Sequence, residues 1–117
     1  MKPHEIARHQ ALPQQAEIVL RLDSALFWFN GHFAVQPLLP GVTQLDWVMH
    51  YATMLLSPDF RFHSIHNVKF QLPLLPENIV TLTLDWQEEQ QLVTFRYQRH
   101  NGEARQTASS GKIRLCR

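Results

Sequence analysis

Two ionisable side chains, His32 and Asp46, stand fourteen positions apart on either side of the dipeptide Pro40-Gly41. An imidazole titrates near working pH and a carboxylate can complement it, so the pair suits general acid–base chemistry. Asp46 is the odd member of its neighbourhood. It follows Gly41 by five residues in a mostly apolar run, where packing alone gives no reason for a carboxylate. The backbone N–H groups of Gly41 and Val42 would be unpaired first-turn donors at the positive end of a helix dipole. A carbonyl oxygen turning into an enolate is stabilised in such a place. Gly41 has no side chain to obstruct the approach. Read singly, His32 could be a turn residue and Asp46 a helix residue paired with an arginine.

The elements that must position these groups follow from patterning. Residues 1–16 are polar and Pro-punctuated, which predicts a short helix or turn. Glu17 to Leu22 is β-branched and apolar, and Asp23-Ser24 turns the chain into a second extended run, Ala25 to Phe29. A loop from Asn30 to Pro40 leads to Gly41–Leu56, a predicted helix buried nearly all round and stopped by Pro58. Strands are predicted over His63–Gln71, Asn78–Trp86 and Leu92–Arg99, with a bend at Pro73 and Pro76 and a turn at Gln87–Gln90. Asn101-Gly102 is a two-residue hairpin signal, and a last strand runs from about Glu103 to Leu115. Extended runs, one buried helix and a strand meander predict an α+β architecture, an antiparallel sheet wrapped on a central helix.

At 117 residues the chain has room for one domain, spanning 1–117, since domains typically run to roughly 100–150 residues. Its 44% hydrophobic and 18% charged residues predict a folded core rather than a disordered segment. Eleven basic and ten acidic residues, net +1, argue against nucleic acid as a partner. A lone Cys116 permits no intrachain disulfide and points to the cytoplasm, and the charged start of the chain does not read as a signal peptide. Ser24–Leu45 carries no charge, but Gly31, Pro37, Pro40 and Gly41 interrupt it, so no membrane span is expected. His63 and His66, three apart on a strand, should point to opposite faces, and no metal is expected.

Gly31-His32-Phe33, Pro37, Pro40-Gly41-Val42, Gln44 and Asp46, followed by Ile65-His66-Asn67-Val68-Lys69-Phe70 with Pro73 and Pro76, resemble the β-hydroxyacyl-acyl-carrier-protein dehydratases of fatty-acid synthesis. The resemblance spans roughly residues 17–115. It implies a hot-dog fold, a homodimer or a heterodimer with a related subunit, and active sites at the interface. His32 of one protomer would abstract the α-proton of a 3-hydroxyacyl thioester, and Asp46 of the other would orient or protonate the departing hydroxyl. The Gly41 N–H, with Val42 beside it, would hold the thioester oxygen, and His50 and Gln44 would support the site. Trp28 and Phe33 could line an acyl tunnel. No cofactor is implied beyond the phosphopantetheine of an acyl carrier protein, which would bring the substrate.

The departures narrow the resemblance. Ala34 and Val35 replace the family's more usual Pro-Gly, and His50 stands where a glutamine is usual. An aspartate acid is shared with the branch that also isomerises the double bond, but Val42 replaces that branch's cysteine, so isomerisation is not expected. The short chain resembles the small dehydratases of polyketide-like pathways, including aryl-polyene clusters. Two other readings remain: a hot-dog thioesterase, and a non-catalytic subunit that completes a partner's site.

Overall fold

The computed structural model describes residues 4–23 and 39–117. Alternating sequence becomes strand wherever one face has a core to meet. β1 spans His4–His9, β2 Gln15–Arg21, β3 Arg61–Phe70, β4 Ile79–Gln87, β5 Leu92–Asn101 and β6 Ala104–Cys116, with helix α1 at Gly41–Leu55 between β2 and β3. All pairings are antiparallel, in the order β1-β2-β4-β5-β6-β3. One face carries Ile18, Leu20, Leu82, Leu84, Phe95, Tyr97, Ile113 and Leu115, all buried. Against it α1 packs Gln44, Trp47, Val48, Tyr51 and Ala52. This is the expected α+β hot-dog arrangement, a sheet around one helix. No helix among the described residues is long and apolar enough to cross a membrane.

The ends of α1 follow from its sequence. Pro40 precedes it in an extended conformation, with φ −61° and ψ 148°, and the Leu39 N–H bonds to the Leu74 carbonyl at 2.8 Å. At the other end, Leu56 and Ser57 both donate backbone N–H bonds to the Ala52 carbonyl, and Pro58 cannot continue the pattern.

Four expectations are corrected. Residues 4–9 form strand β1 rather than a helix or turn; its six side chains are all exposed, so no apolar alternation marks it. The helix is not buried nearly all round: Val42, Asp46, His50 and Met54, spaced four apart, form an exposed stripe. The β5–β6 hairpin turns one residue later than Asn101-Gly102. Asn101 pairs with Ala104, and Gly102 alone of the two loop residues has positive φ, +64°, as a type II′ turn requires. Finally, a register shift between Phe62 and Ser64 rotates His63 out of alternation, so His63 and His66 both reach the Ser64 hydroxyl, at 2.9 and 2.8 Å.

Candidate active site

Asp46 opens into a groove of about 580 Å³ between α1 and β3. Val42, Leu45, Met49, Phe62, Ile65 and Ile113 make it apolar, and Thr43 adds a hydroxyl. The carboxylate is exposed, and no arginine lies within ion-pair distance of it among the described residues. A carboxylate on an apolar wall without a pairing partner retains its capacity to orient or protonate an incoming polar group.

The groove lies beside the first turn of α1. Among the described residues no backbone acceptor takes the N–H of Gly41 or Val42, and the first intrahelical bond runs from the Gln44 N–H to the Pro40 carbonyl at 3.1 Å. Val42 is 80% exposed, so its side of the turn is open. Gly41 is different: a Cβ there would stand 2.6 Å from Cζ of Phe70, at the end of β3. Its missing side chain makes room for a ring of the protein itself.

A buried polar strut fixes this turn to the sheet. Gln44 is buried; its Nε2 donates to the Leu39 carbonyl at 3.3 Å, and its Oε1 accepts from the Ser109 hydroxyl at 2.7 Å. The Tyr97 hydroxyl donates to the Gln44 backbone carbonyl at 2.6 Å. Burial, then the Tyr51 phenol and the Asp46 charge, push the Tyr97 pKa well above its ordinary value, so the phenol remains a donor. The family resemblance already singles out Gln44. Tyr97 and Ser109 were missed, although strand alternation in β5 and β6 places both toward the helix, where a polar group needs a partner.

His50 shares the exposed stripe with Asp46, one turn on. Its ring stands edge-on to Tyr51, with centroids 5.0 Å apart, and its charge lowers the pKa of Glu5 on β1 as a minor influence behind Arg8. Tyr51 is pushed up to about 12, by burial first and by Glu5 second. His32, Trp28 and Phe33 lie outside the described residues.

Comparison with known proteins adds the family. The chain is 56% identical to a chain of the dehydratase heterocomplex ApeI:P from Xenorhabdus doucetiae, with each chain covered over 100% of its length and a TM-score of 0.91. It is 51% identical to a protein from Erwinia carotovora subsp. atroseptica, over 99% of this chain and 97% of that one, again at 0.91. The dehydratase domain of the polyketide protein PpsC from Mycobacterium tuberculosis shares the fold at 16% identity and a TM-score of 0.74, over 100% of this chain and 45% of that one. A family model described as ApeI dehydratase matches residues 8–112, and the chain belongs to the ApeI-like dehydratases.

Proposed function

We propose that this protein, as one domain over residues 1–117, eliminates water from a (3R)-3-hydroxyacyl thioester carried on the phosphopantetheine of an acyl carrier protein, yielding the trans-2-enoyl thioester. The observation that carries the reading is Asp46 on the wall of an apolar groove beside the open first turn of α1. In this reaction neutral His32 takes the C2 proton, the C2–H electrons form the C2–C3 double bond, and the C3–O bond breaks. Asp46 gives or steers a proton to the departing hydroxyl, which leaves as water. The Gly41 and Val42 N–H groups hold the thioester oxygen while it bears enolate charge. His50 supports Asp46, the Gln44 strut holds the turn, and Trp28 and Phe33 line the acyl path. No cofactor or metal takes part. The neighbour at 56% identity comes from a heterocomplex, which supports assembly of this chain with a related dehydratase subunit. His32 then comes from one protomer and Asp46 from the other. We place the protein in the cytoplasm, in fatty-acid or polyene-like biosynthesis such as that of aryl polyenes.

The test follows enoyl absorbance from a 3-hydroxyacyl thioester, for the chain alone and with a dehydratase-like subunit added. Asp46→Asn and His32→Ala should each lower turnover by ~10²-fold or more in folded protein. Undiminished turnover in both variants would sink the assignment. Release of free thiol from a non-hydroxylated acyl thioester would instead establish a thioesterase.

A further inference from the structure

The face of the sheet turned away from α1 carries a segregated charge. On β6, Ser109, Gly111, Ile113 and Leu115 are buried toward the helix side, so Ser110, Lys112 and Arg114 point outward. Register then places Arg61 and Lys69 of β3 and Arg96 of β5 on the same outer face, Arg61 opposite Cys116 and both Lys69 and Arg96 opposite Ser110. All five cations are exposed. The chain's ten Asp and Glu all lie in the described residues, and none is within ion-pair distance of these five. In a chain of net charge +1, that leaves a continuous basic field on three adjacent strands, β5, β6 and β3.

This field is shaped. Lys69, Arg96 and Lys112 line an open trough of about 550 Å³ that crosses to Asp85 on β4. The trough depends on a bulge: between His66 and Lys69 the register with β6 shifts, and Asn67 takes a left-handed φ of 53° and lines the trough. Gly111 makes the bulge possible, because a Cβ there would stand 2.6 Å from Val68 Cγ2. Like charges held this close repel within one screening length, and an opposing acidic surface removes that cost.

We infer that the outer face of β5, β6 and β3 is a docking surface for an acidic partner protein. Nucleic acid fits it worse. The Phe, Tyr and Trp residues of β3, β4 and β5 all share register with the inner face, so the outer face of these strands offers only the small His66 ring for stacking, and Asp85 closes one end of the trough with a negative charge. The hydroxyls of Thr94 and Ser110 and the amide of Asn67 offer hydrogen bonds suited to peptide groups and carboxylates. The surface lies across the sheet from Asp46, so it stands whether or not the dehydration reading does.

The experiment measures binding of fluorescein-labelled poly-L-glutamate, and of a single-stranded oligonucleotide of equal charge, by anisotropy. Poly-glutamate should bind the intact protein, more weakly as salt rises from about 50 to about 300 mM. Lys69→Glu/Lys112→Glu should lower that affinity at least ~10-fold. Arg8→Glu/Arg99→Glu, which reverses two cations outside this face, should change it less than ~3-fold. Circular dichroism confirms that both variants fold. Equal weakening in the two double variants, or tighter binding of the oligonucleotide than of poly-glutamate, would overturn the inference.

Discussion

The phenyl ring of Phe70 fills the space that a side chain at Gly41 would need, with Cζ 2.6 Å from where a Cβ would stand. The last residue of β3 therefore favours glycine as the first residue of α1. Phe70 is 52% exposed, so its ring can swing into solvent, whereas the backbone of α1 is fixed by Leu39 and Gln44.

Gly41→Ala should consequently fold, at a cost of about 1 kcal/mol from the displaced ring. Thermal unfolding measures it, and Phe70→Ala should restore the alanine at position 41 in the double variant. Additive losses in the double variant would mean that the two residues do not interact.

The strut at Gln44 predicts an order of effects. Ser109→Ala leaves the buried Gln44 Oε1 without its donor and should cost about 1–3 kcal/mol. Tyr97→Phe should cost less, about 1 kcal/mol, because the Gln44 carbonyl keeps its intrahelical bond. Urea unfolding of the two single variants checks the ranking.

Alkaline pH tests the helix–β1 contact. Tyr51 has its pKa raised to about 12 from an ordinary 10, so between those values the folded state binds more protons than the unfolded one. Stability is fully present below pH 10 and falls as pH rises toward 12. Tyr97 acts in the same direction. Tyr51→Phe should flatten this decline, as read from unfolding midpoints at stepped pH, and an unchanged slope would remove Tyr51 from the account.

The outer edge of β3, without a partner strand among the described residues, tests assembly. Phe62 and Ile65 are exposed on the helix side of that strand and line the groove with Asp46. Ile65→Asp should shift sedimentation from a dimer toward the 13.7 kDa protomer and reduce turnover at least ~10-fold. A wild-type chain that sediments as a protomer in the presence of its partner subunit would contradict the shared site.

What was legible in the sequence is what burial imposes on it. β2, β4, β5 and β6 alternate because one face meets α1, and α1 itself begins and ends where Gly41 and Pro58 require. β1 has no buried face, and its pairing with β2 holds it extended. The exposed stripe on α1 was hidden because Val42 and Met54, two of its four members, are apolar and read as core. The bulge that brings His63 and His66 to one hydroxyl is a matter of register with β6, which local patterning does not contain. Asp46 stood out because its type disagreed with its neighbours, whereas Phe70, an ordinary strand aromatic, carried no mark of its contact with Gly41.

The place of β3 in the sheet bears on how the chain matures. Among the described residues its one strand neighbour is β6, so Phe62 meets Leu115 roughly fifty residues later in the chain. A nascent chain must therefore hold a ten-residue strand, with Phe62, Ile65, Val68 and Phe70 on it, without its β6 partner until β6 has left the ribosome. Closing the sheet is a late, long-range event, and anything that delays the last strand prolongs the life of an adhesive intermediate.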